Sequence, residues 1–473
     1  MAVARTRSQR QARSRAVPGA EAALPQPSRT PAGKGHGMDI LSLTQTRILT
    51  SLTGGELYTG CIRMDPKTGT ILEVGPDVVP HALDMVVPLP GHIVMPGWVV
   101  GHTHLYSALA RGMPAPKRSP ANFVQTLEYL WWILDRALDP DTVYASGLAG
   151  LLQGAHVGVT GVIDHHASPE CISGSLATLQ RAFEETRMRG LLCYEVTDRN
   201  GTHEGPAGIA ENRRFARDAA RNPLVRGCIG AHASFTINDD TFDQVAEACT
   251  ELDLPLHIHL LEDAADRSES VRLYGKDPVR RLADRGLIRP MDLLAHGVHL
   301  TGDELKLLAD HDVTLIHNAR SNMNNRVGRA PLTRGRWQLG TDGIDNDIVA
   351  ELRAAYFRGR EDNPPVDFMA PLAMMRESQK TLGRAFDLVL DELKPGAGAD
   401  LTIIRYDEPT PLSADNFAGH LYFGLDAWAV AGTVVRGRFV LRDGQVVTCD
   451  EAAAMETTRT GAARLYHKME ALS

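Results

Sequence analysis

The sequence of 473 residues contains no apolar run as long as the eighteen or more residues that a bilayer-spanning helix needs. Its six cysteines are scattered, and none forms a C-x-x-C pair. The sequence therefore predicts neither a membrane segment nor a disulfide framework, and scattered, reduced cysteines are typical of the cytoplasm. With 43% hydrophobic and 23% charged residues, the chain can bury a large core, and its length indicates one large domain with a smaller companion.

The first 37 residues differ in composition from the rest. They are rich in Pro, Ala, Ser and Arg, hold six Arg and one Lys against one acid, Glu21, and contain no apolar h-region. This composition predicts a disordered leader rather than a secretory signal. Met38 is a candidate for the true start, a targeting arm is the alternative, and we expect deletion of residues 1–37 to leave activity unchanged. Without the leader, the 50 basic and 58 acidic residues become 43 and 57, a net charge of −14, which argues against nucleic acid as a partner.

Both ends of the remaining chain carry short β-like runs broken by turns. This pattern of short strands and turns covers residues 38–95 and occurs again at residues 391–450. There, Asp443-Gly444 between apolar runs is a strong hairpin signal. We expect the two segments to form one small β-sandwich assembled from both termini, followed by a helical segment at residues 451–473.

The middle of the chain, residues 96–390, alternates strand-like and helical segments, as repeated βα units do. Eight candidate strands can be recognised, and each ends in polar residues. The strand ends are Gly101-His102-Thr103-His104, Asp164-His165-His166, Cys193-Tyr194-Glu195, Ala231-His232-Ala233, Leu256-His257-Ile258-His259, Leu294-Ala295-His296, Leu315-Ile316-His317-Asn318 and Leu339-Gly340-Thr341-Asp342. Eight such units predict a (β/α)8 TIM barrel, whose active site forms at the carboxyl ends of the strands. The histidines gather at those ends.

The first strand ends in the motif His102-Thr103-His104. Residues two apart on a strand point the same way, roughly 6.6 Å apart along it, so both imidazoles can reach one metal ion. His259 at the fifth strand and Asp342 at the eighth can converge with them on the barrel axis, and this ligand set suits zinc, or less selectively iron(II) or manganese. His257 shares a face with His259 but lies farther from the carboxyl end, so we interpret it as a core histidine with satisfied hydrogen bonds.

Two further side chains, Glu262 and His296, are candidates for catalytic roles beside the predicted metal. Glu262 follows His259 by three residues, and a carboxyl group beside a metal-bound water transfers protons when it is within hydrogen-bond reach. The alternative for Glu262 is an exposed loop acid. His296, at the sixth strand end, is a candidate for a further metal ligand, for a group that polarises the reacting carbon, or for a structural histidine.

These motifs together resemble the amidohydrolase superfamily, in its cytosine-deaminase-like, TRZ/ATZ-type branch. The residues that carry the resemblance are 96–105 (PGWVVGHTHL), 256–262 (LHIHLLE), 295–299 (AHGVH), 317–318 (HN) and 339–343 (LGTDG). Within the branch, the chain resembles the SsnA-type aminohydrolases through residues 105–113, 164–169, 193–201 and 321–325. That subgroup is associated with the catabolism of purines and other nitrogen heterocycles, and the resemblance extends from about residue 38 onward.

The resemblance implies a distorted barrel bearing a β-sandwich, with one divalent metal ion per subunit, Zn²⁺ first and Fe²⁺ or Mn²⁺ as alternatives. The implied metal ligands are His102, His104, His259 and Asp342, and the implied catalytic residues are Glu262, His296 and Asp342. Two-metal relatives carry a bridging lysine on the fourth strand, whereas residues 225–233 contain none, which favours a single metal.

Substrate recognition is assigned to residues around the barrel mouth, namely His165, His166, Glu195, Arg199, His317, Arg320 and Asp345. Relatives usually carry proline at the position of Ala319, so Arg320 is a candidate for contacting an acidic or carbonyl group, with a surface arginine as the alternative. The segment after the first strand carries Trp131-Trp132, which is either part of this pocket or ordinary helix core. His165 and His166 are neighbours, so only one of them can face inward.

The implied reaction is hydrolytic deamination of a purine-, pterin- or pyrimidine-like ring, in which a metal-bound hydroxide attacks an amidine-like carbon and ammonia leaves. Asp342 would accept the proton of the water, Glu262 would protonate the adjacent ring nitrogen, and His296 would hydrogen-bond the oxyanion. Ring opening of a cyclic amide and loss of halide from a triazine remain open on the same site, and an inactive scaffold is the alternative of another class. The expected partners are a small heterocyclic substrate and further copies of the chain in a dimer or larger homo-oligomer, with no nucleic acid and no membrane.

Overall fold

The computed structural model describes residues 40–425 and 429–473. The predicted leader at residues 1–37 lies outside the described residues. None of the helices within these ranges is both long and apolar enough to cross a membrane.

Eight parallel strands form the barrel predicted for the middle of the chain. They are Trp98–His104, Val159–His166, Arg189–Val196, Ile229–Ala233, Leu256–Leu260, Leu293–His296, Thr314–His317 and Arg336–Leu339, called here the first to eighth barrel strands. The short strand Val225–Gly227 pairs with the third strand, and Asp342–Gly343 pairs with the first. Since Asp342–Gly343 continues the eighth strand, its pairing with Thr103 and His104 closes the ring. The predicted fold class is confirmed.

The eighth strand is interrupted at Gly340, where the chain passes very close to the first strand. A Cβ atom at Gly340 would lie 2.8 Å from the Cβ of His102, so only glycine fits this approach. The interruption distorts the barrel and leaves Asp342 to project beside the first strand.

Helices cover the outside of the barrel and connect its strands. The α-helices are Phe123–Thr126, Trp132–Ala137, Pro140–His156, Ser175–Thr186, Glu204–Asp218, Asp239–Leu252, Ala264–Tyr274, Pro278–Ala283, Gly302–Asp310, Ala319–Asn325, Ile348–Gly359, Ala370–Ala385, Phe417–Phe423 and Glu451–Leu472. Short helices of other types occur at Leu105–Ala110, Leu127–Trp131, Pro169–Cys171 and Ser234–Thr236. Several of these short helices directly follow the barrel strands, so they bring side chains to the mouth of the barrel.

Strands from both ends of the chain form a second sheet. Its order is Gln445–Val446, Arg438–Arg442, Val430–Val435, Leu401–Arg405, His92–Pro96, Leu41–Leu49, Leu57–Asp65 and Thr70–Gly75, with Met85–Pro88 also paired to Leu41–Leu49. The two termini meet where Leu401–Arg405 runs antiparallel to His92–Pro96. Apolar side chains from both ends, including Leu43, Ile62 and Leu401, share one core. The predicted assembly of this sheet from both termini is therefore present.

Candidate active site

The carboxyl ends of three barrel strands bring the four sequence-predicted metal ligands together. Asp342 Oδ1 lies 3.3 Å from His102 Nε2 and 3.0 Å from His104 Nε2. His259 Nε2 lies 3.2 Å from His104 Nε2. Ligand atoms about 2.0–2.2 Å from a tetrahedral zinc ion are separated by roughly 3.3 Å. The observed distances are therefore those of atoms that can share one cation.

Hydrogen bonds on the far side of the rings test whether this group fits a metal. His104 Nδ1 donates to the carbonyl oxygen of His165 at 2.6 Å, so in the neutral ring the lone pair is on Nε2. His102 Nδ1 lies 2.8 Å from His257 Nε2, and His102 Nε2 has no hydrogen-bond partner among the described residues. Metal-bound histidines typically donate their other N–H in this way. The residues present therefore fit a divalent metal.

The pKa values of His102, His104 and Asp342 also fit a metal site. Burial lowers the pKa of His102 to about 3. At His104, burial also lowers the pKa, but the Asp342 carboxylate outweighs it and raises the pKa to about 9. Burial would raise the pKa of Asp342, yet its close contacts with the imidazoles of His102 and His104 hold that pKa well below its usual value. The carboxylate thus retains its charge and can act as an anionic ligand beside these rings.

Glu262 and His296, the predicted catalytic pair, lie beside this group. His296 Nε2 is 3.5 Å from Glu262 Oε2 and 4.0 Å from Asp342 Oδ2. Asn325 Nδ2 donates to Glu262 Oε1 at 3.2 Å, and burial raises the pKa of Glu262 to about 7. A carboxyl group with this pKa can hold or release a proton near neutral pH, which suits acid–base chemistry.

Strained backbone places several of these side chains at the barrel mouth. Asp342 has φ = +59°, His296 has φ = +73°, and Leu261, which precedes Glu262, has φ = +51°. Ile344 has φ = +85°, a rare value for a β-branched residue. Residues held in such conformations concentrate at active sites, and here they occur at the ends of the fifth, sixth and eighth strands.

A cavity of about 240 Å³ opens beside the group. His104, His259, Glu262 and Asp342 line it, and so do five aromatic side chains, Tyr106, Phe123, Trp131, Trp132 and Phe235. The pocket interpretation of Trp131-Trp132 therefore matches the structure. Tyr106, Phe123 and Phe235 were not predicted from the sequence to lie in the cavity. The available signal was position, because Tyr106 follows His104 and Phe235 follows His232 within three residues, each just after a strand end.

Of the seven predicted substrate contacts, Glu195, Arg199, Arg320 and Asp345 line the cavity. Within residues 40–425 and 429–473, its lining does not include the other three, His165, His166 and His317. His165 lies behind the wall, against Glu195, and His166 is buried against Ser168 at 2.9 Å. His317 is also buried, and burial lowers its pKa to about 3.

The two cavity arginines are already paired with carboxylates. Arg199 Nη1 donates to Glu195 Oε1 at 3.0 Å and also bonds Asp135, a residue missed from sequence. Burial raises the pKa of Asp135 to about 6.

Arg320 forms a two-bond pair with Asp345, at 3.0 and 2.7 Å, and its Nε donates to Glu351 at 2.6 Å. Its guanidinium is therefore fixed by two acids, and the predicted contact between Arg320 and substrate remains a prediction.

Comparisons with known proteins place this site in a family. A model of the Amidohydrolase family matches residues 93–440. A 5-methylthioadenosine/S-adenosylhomocysteine deaminase from Nitratidesulfovibrio vulgaris is 30% identical over 416 residues, covering 83% of this chain and 90% of the relative. A 5'-deoxyadenosine deaminase from Methanothermobacter thermautotrophicus is 28% identical over 427 residues, covering 88% and 96%. A zinc-bound adenosine deaminase from Xanthomonas campestris shares the fold, with a TM-score of 0.77, 21% identity and coverage of 91% and 98%.

The chain therefore belongs to the amidohydrolase family. It is a metal-dependent hydrolase that acts on carbon–nitrogen bonds other than peptide bonds, and the predicted class of heterocycle deaminase is confirmed.

Proposed function

We propose that this amidohydrolase releases ammonia from a purine-type ring with an exocyclic amine, using Zn²⁺ held by His102, His104, His259 and Asp342. The observation that carries the proposal is one cavity that is lined by the carboxyl groups of Glu262 and Asp342 and by five aromatic side chains, which offer faces for a flat ring. The names of the relatives, which are deaminases of adenine-containing compounds, favour a purine over the pterin and pyrimidine alternatives.

Each residue has a distinct part in this reaction. The metal that His102, His104, His259 and Asp342 would hold would supply hydroxide at neutral pH by lowering the pKa of water. Asp342 Oδ2, which also accepts a hydrogen bond from the Ser321 hydroxyl, would accept a proton from the attacking water. Glu262, with a pKa of about 7, delivers a proton to the ring nitrogen next to the reacting carbon and is reprotonated by the new hydroxyl group on that carbon, while the proton held by Asp342 goes to the leaving amine. His296 Nδ1 donates to Asn322 Oδ1 at 2.9 Å, so the ring would donate from Nε2 to the oxygen that develops on that carbon in its doubly protonated form.

A product screen tests the proposal. The full chain, loaded with Zn²⁺, is incubated with aminated purines, pterins and pyrimidines, and ammonia and ring products are measured, with a chelated sample as the control. Ammonia with a new ring carbonyl supports deamination. A ring-opened product without ammonia would instead identify a cyclic amidase, and halide release from a chlorinated triazine would identify a chlorohydrolase. Bound metal without any turnover would favour an inactive scaffold.

We further propose that the protein works in the cytoplasm as a homo-oligomer of the SsnA-type subgroup, with residues 96–390 as the barrel domain and residues 38–95 and 391–450 as its companion. All six cysteines are free thiols, which supports a reducing compartment. Phe357 and Phe423 are 48% and 66% exposed with ring centres 5.7 Å apart, an apolar patch suited to a subunit contact. Light scattering of the purified chain measures its mass and tests the oligomer directly.

A further inference from the structure

One short helix, Ala319–Asn325, contacts all three side chains that the proposed reaction uses for proton transfer and for stabilising the oxyanion. We call it the site helix. Its three contacts are those of the Ser321 hydroxyl with Asp342 Oδ2, of Asn322 Oδ1 with His296 Nδ1 at 2.9 Å, and of Asn325 Nδ2 with Glu262 Oε1 at 3.2 Å. A movement of this single helix would therefore displace three reacting groups at once.

The site helix is too short to hold its own position. Its seven residues make about two turns, and isolated helices shorter than about 12 residues are unstable in water. Asn318 precedes the helix at the capping position, but its side chain makes no capping hydrogen bond with the described residues. Contacts with other elements must therefore fix the helix.

Arg320, the second residue of the site helix, supplies such contacts through two acids outside the helix. Its backbone N–H donates to Glu351 Oε1 at 3.1 Å, and its Nε donates to Glu351 Oε2 at 2.6 Å. Glu351 is fully buried, so its carboxylate takes the place of the missing cap at the positive end of the helix. The terminal nitrogens of Arg320 donate to Asp345 at 3.0 and 2.7 Å, a two-bond pair that fixes direction as well as distance.

The two acids belong to the part of the chain that follows the eighth barrel strand. Asp345 lies three residues after Asp342, and Glu351 lies in the first turn of the helix Ile348–Gly359. Arg320 therefore ties the site helix to the segment that carries Asp342 and to the helix behind it.

Direct contact with substrate is the alternative role for Arg320, because the residue lines the cavity. Three of the five N–H bonds of its guanidinium are already directed at the two acids. A substrate anion would therefore meet an arginine that already has carboxylate partners, and the contacts favour a role in holding the site over one in binding substrate.

We propose that Arg320 is a positioning residue, which holds the site helix against the segment of Asp342 and so keeps Glu262 and His296 in reactive geometry. The inference rests on the proposed function for the roles of these three side chains. The anchoring of the helix depends only on the contacts of Arg320 itself. A displacement of about 1 Å at reacting groups can lower a rate by about 10²-fold, so loss of the anchor should lower kcat by about 10- to 100-fold.

Steady-state kinetics test this role on the full, Zn²⁺-loaded chain, with the aminated purine that gives most ammonia in the product screen. Arg320→Met keeps the length of the side chain but removes its donors, and we expect kcat to fall with KM little changed. Arg320→Lys keeps the charge without the two-bond geometry and should recover part of the loss. Arg353→Met is the matched control, because Arg353 is also half-buried but donates to the carbonyl oxygen of Leu421.

A double variant separates positioning from a loss of stability. Arg320→Met leaves the buried carboxylate of Glu351 without its partner, which can unfold the chain. Arg320→Met/Glu351→Leu removes that charge as well, so its urea midpoint should lie closer to the wild-type value while kcat stays low. If Arg320→Met does not fold, the double variant and Arg320→Lys carry the kinetic test.

Amide hydrogen exchange gives a readout that needs no substrate. Peptides covering residues 318–326 should exchange faster in Arg320→Met and in the double variant than in the wild type, because the helix loses its anchor. Peptides covering residues 256–260, in the fifth barrel strand, should be unchanged. The control Arg353→Met should keep the wild-type exchange of both segments.

Each contrary result has a distinct meaning. Wild-type exchange of residues 318–326 without Arg320 overturns the anchoring. Faster exchange with wild-type kcat, or a double variant that recovers kcat together with its stability, overturns the positioning role. A raised KM at constant kcat assigns Arg320 to substrate contact instead. If the wild type releases no ammonia from any substrate, the proposed function is refuted, and the exchange of residues 318–326 still decides whether Arg320 anchors the helix.

Discussion

His257 Nε2 lies 2.8 Å from His102 Nδ1, and the two buried rings meet at 74°. For His102 to bind a metal through Nε2, its Nδ1 must carry the hydrogen and donate it to His257. His257 is therefore a positioning residue that fixes the tautomer of a proposed ligand. The sequence predicts His257 to be a core histidine with satisfied hydrogen bonds, which agrees with its burial. The sequence does not predict that His257 positions His102.

Replacing His257 should weaken metal binding without removing a ligand. We expect His257→Leu to lower the affinity for Zn²⁺ by about 10- to 100-fold, the usual effect of losing an outer hydrogen-bond partner. His257→Gln, whose side-chain oxygen can accept the same hydrogen, should lose less. Competition with a chromophoric chelator measures both affinities. Equal affinities for wild type and His257→Leu would show that His257 does not position His102.

Glu262 should be needed for turnover but not for metal binding. Glu262→Gln cannot hold an exchangeable carboxyl proton, so we expect kcat to fall by about 10²- to 10⁴-fold while bound Zn²⁺ stays at the wild-type level. Asn325→Ala removes the hydrogen bonds from Asn325 Nδ2 to Glu262 Oε1 and Ser321 Oγ but keeps the carboxyl group of Glu262, so it is the matched control and should lose much less. Turnover of Glu262→Gln near the wild-type rate would rule out its acid–base role.

The sequence predicts the barrel and its proposed ligands because both depend on local spacing. His102 and His104 share a face by the two-residue period of a strand, and the closed ring of parallel strands brings His259 and Asp342 to the same mouth. The substrate wall depends on long connections instead. Asp135 pairs with Arg199 across 64 residues, and no pattern in the sequence encodes that contact.

Side-chain direction is the other feature that spacing does not settle. His165 and His166 are adjacent on one strand, and the structure shows both buried, with His165 against Glu195 and His166 against Ser168. Arg320 was predicted near the substrate and does line the cavity, but two acids, Asp345 and Glu351, hold its guanidinium. Ion pairs of this kind follow from tertiary packing, so the sequence predicts the residue at the cavity but not its two partners.

The aromatic wall should contribute to substrate binding rather than to the chemical step. Phe235 lines the cavity and packs edge-on to His232, with ring centres 6.2 Å apart. An aromatic contact contributes about 0.5–1.5 kcal/mol, so Phe235→Ala should raise KM by about 2- to 10-fold with kcat little changed. Phe235→Tyr keeps the ring and should retain the wild-type KM. A large fall in kcat at constant KM would instead place Phe235 in the chemical step.

A buried ion pair joins the barrel to the second sheet. Arg189, at the start of the third barrel strand, donates to Asp400 at 2.6 and 3.0 Å, and the two side chains are 0% and 2% exposed. Asp400→Asn would leave the guanidinium without its counter-charge and should lower the free energy of unfolding by about 3–5 kcal/mol. Urea unfolding of the metal-loaded chain measures the change. The double variant Arg189→Met/Asp400→Leu should recover most of the loss, and a double variant as unstable as the single one would contradict this explanation.

Asp84 should stabilise the second sheet in a pH-dependent way. Its carboxylate accepts from Arg63 at 2.7 and 3.1 Å and from Ser42 at 2.6 Å, and the hydrogen bond from Arg63 is the main reason that its pKa lies far below the ordinary value of 3.8. A carboxylate with a lowered pKa stabilises the fold above its unfolded pKa, and this contribution is lost as the pH falls toward its folded pKa. Asp84→Asn should therefore lower the free energy of unfolding by about 2–3 kcal/mol at pH 7.

The difference between wild type and Asp84→Asn should shrink once the pH falls below about 4, where the unfolded chain takes up the proton. Glu73→Gln is the matched control, because Glu73 binds the same guanidinium at 2.9 Å but its side chain is 47% exposed. An exposed partner of this kind contributes about 1 kcal/mol or less, so this control should change little at any pH. Urea unfolding at pH 7, 5, 4 and 3 measures all three proteins, and a difference that stays constant from pH 7 to pH 3 would show that the charge of Asp84 is not what stabilises the sheet.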